Sequence, residues 1–291
     1  MSGRTDSGAP AAESPGNNPE VASSTTLKMH SFAVSAGQEV FMCQDFANPF
    51  QGQQADVKAY ELAMTQGSHH MLAFYKVGAT DGPLIPCPEG GLQFGPFTFA
   101  AQSANVTETY PEGVGATIPG DTGFTINMHY ANAGSTTATG QLTLTMYVAK
   151  PGVVTQHAGV LFLNQLSLFV PPSDTPGSPY TSSMTYLLEQ DVNILSTDSH
   201  MHQRATNFVA TTSTGQTLYQ TMQWNEPPPA TFSPPLHLSS GTSITWSCSY
   251  VNDTGLPLVF GPSAQTNVMC ISQSIFYPVN DVRHPVVSYF H

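Results

Sequence analysis

Five of the ten histidines stand where ring nitrogens could converge on a metal ion. His200 and His202 form a His-x-His pair, and on a strand residues i and i+2 project from one face, so both imidazoles can reach one ion. By itself that motif reads equally well as two solvent-facing rings on a polar strand. His69 and His70 are adjacent, and a regular strand would aim them at opposite faces. A bend supplied by Gln66-Gly67-Ser68, or ligation through different ring nitrogens, would bring both to one ion; otherwise one ring is buried and the other wet. His129, in Phe124-Thr-Ile-Asn-Met-His-Tyr130, lies on a strand-like run where a satisfied core histidine is the commoner outcome, and it gains weight from the other four. Met269, beside Cys270, offers a thioether, a soft neutral ligand that suits Cu(I), while imidazole suits both copper oxidation states. Methionine is more often core filler, and the chain has 11. Copper is therefore the metal these residue types favour.

The elements that must carry these side chains are short strands. Leu142, Leu144, Met146 and Val148 alternate with Thr143, Thr145 and Tyr147, and Ile244, Trp246, Cys248 and Tyr250 repeat the pattern, the period of a half-buried strand. Gly 24 and Pro 24 are too much punctuation for long helices. The pattern predicts an all-β protein of antiparallel sandwiches. A length of 291 residues suits two domains or one large one, and the Lys150-Pro151-Gly152 step divides an N-terminal sandwich (27–150) from a C-terminal one (151–291). Residues 1–26 lack Leu, Ile, Phe, Trp and Tyr and read as a flexible tail.

Composition narrows the partners. Lys+Arg 7 against Asp+Glu 19 gives a net charge of −12, so no basic surface exists to neutralise phosphates, and nucleic acid and anionic membrane are poor partners. No run of 18 apolar residues reads as a membrane span, and the N-terminus lacks the apolar core of a signal peptide. Cys43, Cys87, Cys248 and Cys270 have no C-x-x-C spacing; two disulfides fit them better than a zinc ribbon or a redox motif, with three pairings open and an oxidising compartment implied. Gly-x-Gly-x-x-Gly, P-loop, Gly-x-Ser-x-Gly and His-Glu-x-x-His motifs are absent, which removes support for nucleotide, phosphate, hydrolase-elbow and zincin chemistry. Asn105-Val-Thr and Asn252-Asp-Thr are formal glycosylation sites, meaningful in a eukaryotic host. His30, His157, His237, His284 and His291 are left unassigned, with room for an accessory ion.

His69-His70-Met71-Leu72, His129-Tyr130, His200-Met201-His202 and Met269-Cys270, in that order, resemble the copper type II, ascorbate-dependent monooxygenases, the family of peptidylglycine α-hydroxylating monooxygenase and dopamine β-monooxygenase. The likeness extends to Val34–Cys43, to His157-Ala-Gly-Val-Leu and to Thr245–Tyr250, and covers roughly Lys28 to Pro278. It implies two β-sandwich domains packed side by side, each carrying one copper ion, facing each other across a solvent-filled cleft. One copper would be held by His69, His70 and His129 and deliver an electron. The other would be held by His200, His202 and Met269, bind dioxygen and attack a substrate C–H bond. The resemblance also implies the bridges Cys248–Cys270, beside the ligating methionine, and Cys43–Cys87, and a secreted or periplasmic location.

Substrate-contacting positions depart from the family. Asp198 stands where the peptide-amidating relative has an arginine for the peptide carboxylate, Ile271 replaces its asparagine, and Gln273 replaces a tyrosine. A glycine-extended peptide is disfavoured, while a cationic or neutral small molecule is allowed, since Asp198 could pair with an amine. Asp198 could equally orient a histidine N–H. The expectation is a monooxygenase that inserts one atom of O2 into an aliphatic C–H bond of a small organic substrate with ascorbate or another external one-electron donor. The alternatives are a non-catalytic copper carrier that keeps both sites, and a structural sandwich whose histidines are incidental.

Overall fold

The computed structural model describes residues 14–88 and 95–290. They form an all-β protein of two sandwiches. In the first, Val21–Lys28, Leu142–Ala149, Ala55–Met64, Val114–Ile118 and Gln156–His157 follow one another across one sheet, with Asn105–Thr109 also on Ala55–Met64. The facing sheet runs Ile85–Pro86, Glu39–Phe46, Thr122–Ala131, Ser68–Val77, Phe97–Ala101. In the second sandwich, Ala230–Leu238, Val192–Met201, Cys270–Tyr277, Gly159–Asn164 and Val286–Phe290 lie opposite Pro179–Leu187, Ser243–Val251, Ala205–Thr212 and Thr217–Thr221. Pairing among these strands is antiparallel except where Gln156–His157 joins Val114–Ile118 and where Val286–Phe290 joins Gly159–Asn164.

Burial follows the period-2 pattern. Ile244, Trp246, Cys248 and Tyr250 are all buried and their neighbours are half-buried, so this strand covers the second core with one face. Leu142, Leu144 and Met146 do the same in the first core, but Val148 leaves that face, because the register against Ala55–Met64 shifts between Tyr147 and Val148.

The flexible tail expected over 1–26 needs correction. Its first 13 residues lie outside the described ones, but Val21–Lys28 is an edge strand paired along its length with Leu142–Ala149, with one register shift between Val21 and Ser23. Backbone pairing orders this Ser/Thr-rich segment with little burial beyond Leu27, and the Thr26 and Thr145 hydroxyls meet at 2.9 Å. The chain passes between sandwiches at Ala158, beyond the turn at Lys150-Pro151-Gly152, since Gln156–His157 still extends the first sheet while Gly159–Asn164 enters the second. A side chain at Gly159 would meet the Pro285 carbonyl at 2.2 Å, so this crossing needs glycine.

Both disulfides form, Cys43–Cys87 and Cys248–Cys270, which suits folding in an oxidising compartment. Among the described residues no helix is long and apolar enough to cross a membrane.

The sandwiches are packed against each other. Leu195 of the second enters the first core, and Phe74, Phe97 and Val160 form a small core of their own between the two halves. Arg283 holds Asp121 through both carboxylate oxygens, and Glu39 receives bonds from Ser263 Oγ and Ala264 N, each at 2.8 Å.

Candidate metal centre between the sandwiches

Thr122–Ala131 pairs with Ser68–Val77 so that His129 faces His70 directly, and the next pair is Tyr130 with Ser68. His69 is the residue left over, the extra position of a β-bulge. That bulge lets two consecutive imidazoles reach one side of the sheet, and it sits at His69 itself rather than in Gln66-Gly67-Ser68. Gly67 turns the chain into it at φ +95°, where a Cβ would strike the Tyr130 hydroxyl at 2.7 Å; that hydroxyl donates to the Gln66 carbonyl.

One candidate ligand atom each from His69, His70 and His129 lies within 4.8 Å of the others. His69 Nε2, His70 Nδ1 and His129 Nδ1 are shielded from solvent and have no hydrogen-bond partner. Three orphaned ring nitrogens in one place is what a ligand set looks like without its ion, because a buried polar atom left unpaired is costly. Glu39 fixes the third ring, meeting His129 Nε2 at 2.7 Å, which leaves Nδ1 for the ion. Burial alone would raise the Glu39 carboxyl, but bonds from His129, the Ala264 amide and the Ser263 hydroxyl hold it down at about 2. Phe41 stacks on His129 with centroids 3.9 Å apart.

The second set is aimed as closely. His202 Nδ1 faces the Asn267 carbonyl at 3.2 Å, and a carbonyl can only accept, so the proton is on Nδ1. Gln102 donates through Nε2 to the Ser199 carbonyl at 2.7 Å, which turns its Oε1 to His200 Nδ1 at 2.6 Å and places that proton on Nδ1 too. Both Nε2 atoms are left bare, and they face each other at 3.3 Å. Two lone pairs so placed repel unless a cation lies between them. Two metal–nitrogen bonds of about 2.0–2.1 Å at a near-tetrahedral angle put their nitrogens about 3.3 Å apart, so the pair fits one first-row metal ion.

The two ligand sets, expected to face each other across a solvent-filled cleft, instead meet. The His69 ring lies 4.9 Å from that of His200 and 5.8 Å from that of His202, and His70 lies 4.9 Å from His200. One ligand atom each from His69, His200 and His202 also falls within 4.8 Å of the others. The five histidines are one cluster, and His69 belongs to both halves of it. His129 and His202 are 0% exposed, His69 4% and His200 7%. Burial lowers the pKa of every one, with neighbouring histidines adding to the effect on all but His129, where Glu39 opposes it; His69, His70 and His200 fall well below 6.5 and His202 to about 4. The rings are neutral at pH 7, the state a metal requires.

Met269 is buried, next to Cys270 and its disulfide to Cys248. His200 pairs with Ile271 and Met201 with Cys270, and Met269 and His202 are the residues just beyond the end of that ladder. Met269, His70, His200, Ile271 and Gln273 line one cavity between the sandwiches. This cavity is what remains of the cleft, and its walls are mostly apolar.

Asp198 is opposite Gln273 in the sheet but does not line that cavity. It lies in a neighbouring pocket with Glu108 and Tyr60, where Gln102 and Gln273 form the shared wall. Its role as orienter of His200 falls instead to Gln102. Burial raises Asp198 to about 7, against the bond from Gln102 and helped by Glu108, and burial raises Glu108 likewise to about 7.

The other histidines stand elsewhere: His157 bonds Thr117, His30 is on Gln44, His237 on Asn193 and His284 on Asp281, while His291 lies outside the described residues. Glu39, Gln102, Phe41 and Trp224, whose ring is 5.9 Å from His69, are the site residues that sequence reasoning misses. They are ordinary residue types far along the chain from the histidines they serve, and no local motif marks them.

The fold and site thus define an all-β, two-sandwich protein with a buried histidine cluster suited to a metal. No family model matches the chain, and no curated protein matches it. Among solved structures, the major capsid protein P2 of bacteriophage PM2 is 8% identical over 89% of this chain and 99% of that one, with a TM-score of 0.38. The VP2 subviral particle of infectious bursal disease virus is 9% identical over 88% of this chain and 79% of that one, with a TM-score of 0.18. Likenesses this distant carry no functional argument.

Proposed function

We propose that this protein is a copper-dependent monooxygenase that hydroxylates an aliphatic C–H bond of a small organic molecule, using O2 and an external one-electron donor such as ascorbate. The observation that carries the reading is the pair of bare Nε2 atoms of His200 and His202 at 3.3 Å, together with the orphaned nitrogens of His69, His70 and His129. Met269 favours copper over zinc at the second set, because a thioether is a soft ligand.

Copper held by these residues would supply one-electron redox chemistry and activation of dioxygen. The chain's own part is positional. Gln102 and the Asn267 carbonyl hold the protons of His200 and His202 on Nδ1, and Glu39 holds His129 by Nε2. The Cys248–Cys270 bridge braces the strand that begins next to Met269. The mostly apolar walls of the cavity beside Met269 and His200 suit the place where a C–H bond would be presented. Secretion or a periplasmic location belongs to the same reading.

Copper titration of wild type, Met269→Ala and His129→Ala tests it, with oxygen uptake measured in the presence of ascorbate and candidate substrates. Two ions in wild type, one lost from each variant, and substrate-dependent oxygen uptake lost from Met269→Ala are the expected results. Copper uptake without substrate-dependent oxygen consumption identifies a carrier, and no stoichiometric uptake ends the metal assignment.

A further inference from the structure

The cavity between the sandwiches has a chemical character of its own. Phe41, Phe74, Phe97, Phe162 and Phe260 are among its walls, and among the described residues no Asp, Glu, Lys or Arg lines it. The nearby carboxyls of Asp198 and Glu108 open into the adjoining pocket, behind Gln102 and Gln273. A charged ligand entering the aromatic cavity would shed its water without gaining a counter-charge, which is strongly unfavourable.

Besides His70 and His200, that wall carries the polar side chains of Gln102, Asn164, Gln273 and Ser288, and of these four only Asn164 has a buried atom without a partner. Asn164 ends the strand Gly159–Asn164, is 2% exposed and lines the cavity, yet its Oδ1 has no hydrogen-bond partner. Its place follows from the sheet register: Asn164 pairs with Ile271, and Ile271 pairs on its other side with His200. Three neighbouring strands therefore carry Asn164, Ile271 and His200 in one row. With strands about 4.8 Å apart, the orphan acceptor and the histidine stand about 10 Å from each other across the sheet. Phe162 and Gln273, the next cross-strand pair on that face, complete the floor.

We propose that this cavity binds an uncharged, mainly hydrocarbon molecule carrying a single hydrogen-bond donor, a hydroxyl or an N–H, which Asn164 Oδ1 accepts while the apolar body lies along Ile271 toward His200 and Met269. Calling that molecule the substrate rests on the copper-monooxygenase reading; its binding does not. The donor satisfies the buried Asn164 acceptor, and the phenylalanines take up the remainder. The cationic substrate allowed by the sequence is thereby disfavoured in this cavity, since Asp198, on the same sheet face as His200, lines the adjoining pocket instead.

The test is calorimetric titration of the protein, as isolated and after metal removal, with benzyl alcohol, toluene, benzylammonium and benzoate. Benzyl alcohol should bind about tenfold more tightly than toluene, and both charged analogues more weakly than either. Asn164→Leu should erase the preference for the alcohol while leaving toluene affinity unchanged, and Asn164→Ala, with its fold verified by circular dichroism, should do the same. Charged analogues binding as well as the alcohol, no probe binding at all, or an alcohol preference that survives both substitutions would overturn the proposal. Because these titrations do not use copper or oxygen, the expected pattern in a protein that takes up no copper would sink only the proposed activity, and copper uptake without probe binding would sink only this inference.

Discussion

The ring of His69 lies 4.9 Å from that of His200 and 5.0 Å from that of His129, so a single residue touches metal-ligand candidates carried by both sandwiches. The bulge that frees His69 from its strand makes this reach available. Replacing it should therefore act on both halves of the cluster, unlike replacing any other histidine. His69→Ala is expected to weaken both ions, whereas His129→Ala and His202→Ala each weaken one. Metal stoichiometry after dialysis against a weak chelator reads the difference; a His69→Ala protein that loses one ion and keeps the other at wild-type affinity would show the two sets to be independent.

Gln102 comes from the first sandwich and holds His200 of the second by Nδ1 at 2.6 Å. Gln102→Leu removes the acceptor, freeing the ring to rotate and its proton to move to Nε2, where it competes with the ion. Loss of such a supporting partner typically costs about 10–100-fold in metal affinity. Competition titration should show that loss at the His200–His202 set while the His70–His129 set is spared, and Gln102→Glu, which keeps an oxygen in place, should recover much of it. Nitrogen NMR of the imidazoles reads the tautomer directly and would be unmoved if Gln102 only filled space.

Much of this architecture is legible in the chain, and the part that is not has a physical explanation. Ile244, Trp246, Cys248 and Tyr250 announce a half-buried strand because period-2 alternation is a local property, and all four are buried. The histidines are legible as candidates because imidazole is rare and chemically specific. The bulge at His69 is not, since it depends on the register of Thr122–Ala131 against Ser68–Val77. Nor are Glu39 and Gln102, which lie 90 and 98 residues from the histidines they hold. The closing of the cleft depends on the fit of two folded faces, Leu195 and Phe74 among them, which no window of sequence contains.

Lys58 is 1% exposed, yet it carries an ammonium paired with Glu20 at 2.8 Å and bonded to the Pro111 carbonyl at 2.5 Å. It ties the residue just before the edge strand Val21–Lys28 to the middle of its sheet. Lys58→Met keeps the packing of the stem but leaves a partly buried carboxylate and a carbonyl unpaired, at a cost of about 3 kcal/mol. Urea unfolding should show the unfolding free energy fall by that amount, with Glu20→Gln costing much less; equal effects would mean that the charge pair, rather than the satisfied ammonium, sets the energy.

Glu108 provides the pH prediction. Burial raises its carboxyl from 4.5 to about 7 in the folded protein, and the unfolded chain keeps the ordinary value. The folded state therefore binds the proton more tightly, so this residue's contribution is fully favourable below pH 4.5 and is lost as pH rises through about 7. The loss amounts to at most about 3 kcal/mol once the group is ionised in both states. Glu108→Gln cannot ionise, so relative to wild type it should gain stability between pH 5 and pH 8, with most of the gain complete by pH 8. Paired denaturant titrations of the two proteins at those pH values measure it, and a difference that stays constant across the range would show that Glu108 is not held in its protonated form by the pocket it shares with Asp198 and Tyr60.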